Sequence, residues 1–314
     1  VEMFIYMMIV TVLGFLICSG GLRGGVERVI KPVMALLLLL LIFLAGHSVV
    51  LPGFKEGLSF YLYPSLEHLN AHPLSEVLSA AMAQAFFTLS IGVGAIQIFG
   101  SYTGNGYRLS SEALRITLLD TLVALLSGFI IFPACFSYGV EPGEGAGLIF
   151  VTLVSIFSHL DHGSLWGGLF FLFMTCAALS TLVAVFENII AITMELTGMG
   201  RRAAVGLNFV VISLLSLPCL LGFNVLKDVH PLGGESSFLD LEDFLVSDNI
   251  LPLGALIYVL FVVRAGGWGF AGYLKECNRG AGLAMPAWVR GYFTYILPPV
   301  IALLILNCYL VKWG

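Results

Sequence analysis

Charge is what this sequence has least of. Only 11% of its 314 residues are Asp, Glu, Lys or Arg, against about a quarter in a soluble domain. That shortfall excludes an ordinary soluble fold. The net charge of −5 carries no sign of a nucleic-acid partner either. Paired cysteines are also missing. Cys18, Cys135, Cys176, Cys219, Cys277 and Cys308 form no C-x-x-C motif, and all but Cys277 sit in or at the ends of apolar runs. They read as small buried residues with free thiols. There is no linker, low-complexity tract or obvious repeat, no signal peptide ahead of the first apolar run, and no channel-filter signature.

Apolar sequence fills the space. Hydrophobic residues make up 59% of the chain. Long runs cover roughly 3–19, 29–50, 80–99, 114–135, 166–194, 204–222, 249–264 and 291–311, each long enough to span a bilayer as a helix or nearly so. An amphipathic stretch at 145–158 reads as a surface or re-entrant helix. The expectation is an all-α integral membrane protein of eight spans, forming one transmembrane domain over 1–314, with lipid as its surroundings.

The basic residues orient it. Arg23, Arg28 and Lys31, then Arg108 and Arg115, then Arg201 and Arg202, then Arg264, Lys275, Arg279 and Arg290 fall in alternate connections. By the positive-inside rule these connections are cytoplasmic. Lys55, Lys227 and Lys312 lie on the other face with Glu141, Glu144, Asp240, Glu242 and Asp243. Both ends are then external. Because residue 1 is Val and no signal precedes it, the expectation is an odd number of preceding spans absent from this stretch.

One run is broken in its middle. Gln84 to Ala95 reads Q-A-F-F-T-L-S-I-G-V-G-A, with Thr88, Ser90, Gly92 and Gly94 where a lipid-facing helix would carry Leu or Ile. Each glycine weakens a helix by roughly 1 kcal/mol. Backbone groups freed inside a membrane are tolerated only where protein or a cavity receives them, and such breaks mark binding sites in transporters.

Polar groups within other runs have two readings each. The Ser180 and Thr181 hydroxyls suit a hard cation, or simply bond the carbonyl one turn back. Asp120 is costly in a membrane helix and is a functional candidate, or else pairs with Arg115. Glu187 is a second intramembrane acid that should face the bundle, for structural hydrogen bonding or proton coupling. His68 with His72, and His159 with His162, have metal-compatible spacing but read as solvated loop residues.

These segments resemble the neurotransmitter:sodium symporters, whose fold is the leucine-transporter inverted-repeat helical bundle. Q-A-F-F-T-L-S-I-G-V-G-A resembles the family's sixth segment and R-G-G-V-E-R-V-I-K-P the start of its fifth. G-L-S-F-Y-L-Y-P is similar to its external loop, and L-L-D-T-L-V-A-L-L-S-G-F-I-I-F-P to its seventh segment. A-A-L-S-T-L-V-A-V-F-E-N and E-L-T-G-M-G-R-R resemble the eighth and its exit. The match runs collinearly over about 10–225 and more loosely to the end, so the chain corresponds to the fourth to eleventh segments.

The resemblance implies sodium-coupled symport of an amino acid by alternating access, in a bacterial inner membrane, without enzymatic chemistry. It implies two sodium sites, each partly present here. Thr88 and Asp120 belong to one, and the Ala177 carbonyl, Ser180 and Thr181 to the other. Phe87, Thr88, Ser90, Val93, Thr181 and Val185 match substrate-pocket positions, beside the Gly92/Gly94 break. Chloride-dependent members place a serine four residues after the Asp120 position. Ala124 stands there, which implies that Asp120 supplies the negative charge and that transport needs no chloride. The substrate implied is apolar or aromatic. The alternatives are a proton-coupled or other-substrate carrier of the same fold, and a transport-dead scaffold. A preceding segment or a second chain is expected to complete the sites.

Overall fold

The computed structural model describes residues 2–63, 73–102, 104, 106–140, 149–150, 153–159, 162–234 and 236–313. Pro64, His68, His72, Glu141 and Glu144 lie outside them. Among the described residues every regular element is helical. The reason is the sequence's own: backbone groups in hydrocarbon must pair within their segment, and only a helix does this locally.

In chain order the helices are α1 (Glu2–Ser19), α2 (Glu27–Ser48), α3 (Phe54–Leu62), α4 (Leu74–Thr88), α5 (Ala95–Tyr102), α6 (Leu109–Ser137) and α7 (Leu153–His159). There follow α8 (Gly163–Thr197), α9 (Arg201–Leu215), α10 (Leu217–Gly222), α11 (Phe238–Asp243), α12 (Leu251–Val263), α13 (Phe270–Cys277) and α14 (Leu297–Trp313). Among the described residues seven stretches are long and apolar enough to cross a membrane: Glu2–Ser19, Gly24–Ser48, Leu109–Ser137, Gly163–Thr197, Arg201–Gly222, Phe238–Val263 and Val289–Leu310. The eighth expected span, 80–99, is not one helix. It is divided into α4 and α5, because Leu89 to Gly94 leave the helical ladder.

Wide π-turns lie within two of the later spans, at Phe244–Ile250 before α12 and Tyr292–Ile296 before α14. Proline explains both. Pro252 and Pro298 have no N–H to offer the carbonyls of Asp248 and Thr294, and their rings press on those carbonyls. Both carbonyls fall within the wide turns, which make room for the rings.

Contacts divide the chain into two compact units. One comprises 13–71 and 119–187, the other 1–12, 72–118 and 188–314. In the first, Leu37, Leu40, Leu41 and Leu44 recur at helical spacing on α2 and are buried. They meet Ile130 and Cys135 of α6, Leu153 and Ile156 of α7, and Phe170 and Phe173 of α8. So α7, which lies within the amphipathic stretch, buries one face in this core. A β-carbon on Gly57 of α3 would lie 2.5 Å from the Pro133 nitrogen of α6, so glycine permits that close crossing. Phe15 of α1 stacks on Phe186 of α8 at 4.2 Å.

In the second unit α4, α12 and α14 pack together. The Asn307 amide of α14 donates to the Ser75 carbonyl at 2.7 Å and to Ser79 Oγ at 2.6 Å. Buried Asn208 of α9 donates to Thr193 Oγ1 at 3.0 Å and to its own helix at Ala204. The connection before α6 is strapped to the loop after α13. Arg108 donates to the carbonyls of Asn278 and Gly282, and Ser110 to that of Leu283.

Candidate functional site

The break is built by backbone conformation. Ser90 has φ 49°, Gly92 φ 91° and Gly94 φ 87°. Glycine adopts the left-handed region freely, whereas at Ser90 the same geometry is strained and must be held by its surroundings. The ladder ends with the Ser90 amide on the Phe87 carbonyl (3.0 Å) and the Ile91 amide on that of Phe86 (2.9 Å). It resumes with Ile98 donating to Gly94 at 3.1 Å. Phe87 and Val93 are 58% and 40% exposed, Thr88 is exposed, and Ser90 is half-buried.

What holds the break is α12. A β-carbon on Gly92 would come 2.1 Å from the Leu251 carbonyl oxygen, and one on Gly254 would come 2.3 Å from that of Gly92. Two backbones therefore touch with no side chain between them. One turn along, the Tyr258 hydroxyl lies 2.9 Å from where a β-carbon on Gly94 would stand. Sequence reading did not single out Gly254 or Tyr258. A signal existed at Gly254: an isolated glycine in an apolar helix marks close approach.

On α8, Ala177, Ser180 and Thr181 come together on one turn. Ser180 Oγ donates to the Ala177 carbonyl at 2.8 Å and Thr181 Oγ1 donates to the same oxygen at 3.2 Å. The back-bonding and cation-ligand readings coincide here. Each hydroxyl spends its proton on the carbonyl and keeps oxygen lone pairs to offer. Ala177 and Thr181 border an open groove of about 510 Å³, lined also by Met174, Val185 and Phe186 among others. Thr181 and Val185, four apart, share the helix face that borders it.

Asp120 is half-buried on α6. The Arg115 guanidinium is bonded to Glu112 at 2.7 Å and lies 5.9 Å from the Tyr107 ring. The carbonyl of Ala124, one turn on from Asp120, accepts from the Tyr61 hydroxyl at 3.3 Å. Burial raises the Tyr61 pKa, so that hydroxyl keeps its proton. Glu187 is fully buried, as expected for an acid facing protein. Phe87, Thr88, Ser90, Val93 and the two glycines belong to one compact unit; Asp120, Ala177, Ser180, Thr181, Val185 and Glu187 belong to the other.

Residues 2–313 match the Sodium:neurotransmitter symporter family. The chain belongs to that family. A sodium-dependent transporter of Haemophilus influenzae, itself uncharacterized, is 35% identical over 268 residues, which is 84% of this chain and 57% of that protein. The uncharacterized sodium-dependent transporter YhdH of Bacillus subtilis is 36% identical over 79% of this chain and 53% of its own length. The chain thus spans about half the length of these relatives. Among solved structures, MhsT in complex with L-phenylalanine superposes with a TM-score of 0.85 and 36% identity, over 97% of this chain and 67% of that one. The leucine-transporter fold expected from the sequence motifs is the fold observed.

Proposed function

We propose that this symporter-family chain forms part of a carrier that couples sodium entry to uptake of an apolar or aromatic amino acid by alternating access, independently of chloride. The observation that carries the reading is the grouping of the Ala177 carbonyl, Ser180 Oγ and Thr181 Oγ1 on one helical turn, beside an open groove that Ala177 and Thr181 line. A hard cation takes a shell of neutral and charged oxygens, and this turn offers three. More are needed, so groups outside this turn close the shell. A second sodium takes the Thr88 hydroxyl and the Asp120 carboxylate. With Ala124 in place of a serine, Asp120 supplies the compensating charge.

The amino acid lies along the break. The open backbone between Leu89 and Gly94 offers N–H and C=O groups to its charged ends. Phe87, Val93 and Val185 face its side chain, with Ser90 and Thr181 beside them. The similarity to a phenylalanine-bound structure supports an apolar or aromatic substrate. Residues 1–314 act as one transport domain in a bacterial inner membrane.

The test is uptake by the complete gene product in liposomes. Labelled phenylalanine should accumulate under an inward sodium gradient and do so equally in chloride or gluconate. Accumulation that persists in choline and follows a proton gradient would replace the reading with the proton-coupled alternative. Failure to accumulate any amino acid, in a protein that still binds one, would favour a scaffold.

A further inference from the structure

The break leaves the helical ladder, yet both its left-handed glycines, Gly92 and Gly94, lie against α12. We propose that α12 is the clamp that sets its geometry, with Gly254 and Tyr258 as positioning residues for the ligand-facing backbone. This inference rests on the reading of the break as the substrate-facing segment.

Three observations converge on one helix. Gly254 lets α12 approach until a β-carbon there would stand 2.3 Å from the Gly92 carbonyl oxygen and 2.9 Å from its carbonyl carbon. Reciprocally, Gly92 could carry no side chain without striking the Leu251 oxygen and the Ala255 nitrogen, at 2.1 and 2.8 Å. Leu251 and Ala255 are themselves buried, at 2% and 4% exposure, so that wall does not move aside. The Tyr258 hydroxyl then reaches Gly94, the last residue before the ladder resumes. Contacts four residues apart on α12 therefore meet residues two apart on the opened chain. That match of one helical turn, about 5.4 Å, to two extended residues, about 6.6 Å, is what an unwound segment offers and a helix does not.

The consequence is chemical. The direction of the Gly92 carbonyl is set by its crossing with Gly254, and the space beside the Gly94 α-carbon is closed by the tyrosine hydroxyl. If the break gives its polar groups to an amino acid, α12 fixes where those groups point before the ligand arrives. Neither residue need touch the ligand.

The test uses Gly254→Ala, Tyr258→Phe and a distant control, Leu303→Ala, in the complete gene product. Backbone hydrogen exchange of the 86–98 segment is read without ligand, and sodium-dependent phenylalanine uptake is read beside it. Tyr258→Phe removes only the hydroxyl. It should speed exchange of the Gly92 to Ala95 amides roughly threefold to tenfold, because the segment loses the packing of that hydroxyl against Gly94. It should also raise the KM for the amino acid with little change in maximal rate, and leave exchange in α8 as it was. Gly254→Ala should do more, in the same places. Exchange at the break that is unchanged in both variants overturns the clamp, whatever the transport result. Faster exchange with an unaltered KM also overturns it, reducing α12 to a packing partner. If the unmutated protein moves no amino acid at all, the proposed function falls, and the exchange data still decide whether α12 holds the break.

Discussion

At the residue scale, three side chains and one glycine carry the argument. Ser180 and Thr181 each donate to the Ala177 carbonyl, so replacing them removes oxygens without removing a buried hydrogen-bond acceptor's other partners in the helix. Ser180→Ala with Thr181→Val should leave folding intact and raise the sodium concentration for half-maximal uptake about tenfold, which corresponds to roughly 1.4 kcal/mol. Uptake measured against sodium at fixed amino acid checks this. Asp120→Asn keeps the shape and removes the charge. It should weaken sodium dependence further, because a hydrogen bond or ligand contact to a charged group is stronger than one to a neutral group. Gly57 belongs to stability alone. Its β-carbon would lie 2.5 Å from the Pro133 nitrogen and 2.6 Å from the Phe132 carbonyl carbon. Gly57→Ala should therefore cost about 1–3 kcal/mol by overpacking, seen as a lower melting temperature in detergent.

At the element scale, the break separates what a sequence says from what it withholds. Two glycines two apart amid Thr and Ser showed that 80–99 is not a simple span, and the structure divides it there. Local signals suffice for that, because a helix interruption is written in the residues that interrupt it. The Ser180 and Thr181 hydroxyls are legible as neighbours on one helical turn, whereas Ala177 beside them comes only from the family resemblance. The clamp was not. Gly254 lies about 160 residues from Gly92 in the chain, and no spacing rule links an apolar glycine to a partner that far away. The Tyr61 contact to Ala124 is hidden likewise. The extent of α8 was underread by a few residues at each end, since its termini are polar enough to resemble loop. A test at this scale is Gly92→Ala. It forces a β-carbon into the Leu251 carbonyl at φ 91°, where alanine is strained by about 1–2 kcal/mol before any clash. Binding should be lost while the long spans, read by circular dichroism, keep their helicity. A second element, α13, carries a pH effect. Burial raises the pKa of the Cys277 thiol, and burial with the neighbouring thiol raises that of the Tyr273 hydroxyl. Both are neutral groups favoured by the folded state. The thiol's contribution is complete below its unfolded value of about 8.5, and the phenol's below about 10; each is lost as pH rises above that value. Melting temperature should fall as pH rises above about 8.5, and Cys277→Ala should flatten the first part of that fall.

At the scale of the whole molecule, orientation follows from a charge asymmetry that no single element contains. Eleven of the fourteen basic residues fall in alternate connections, and the loops that carry them are drawn to the cytoplasm as the chain inserts. The structure adds a reason for that face to be rigid. Arg108 spends its guanidinium on the carbonyls of Asn278 and Gly282, so a topogenic charge is also a strap between two loops. On the opposite face Ser237 caps α11 through a reciprocal bond with Asp240, placing a carboxylate at a helix start, where its charge is favoured. Orientation can be read with a membrane-impermeant thiol reagent on intact cells. A cysteine at Lys227, in the acidic loop before α11, should label from outside. One at Arg279, beyond α13, should label only after the membrane is opened. The buried native cysteines should contribute a slow background common to both. Arg279 labelling from outside would invert the molecule. Sodium would then have to enter the proposed site from the cytoplasm.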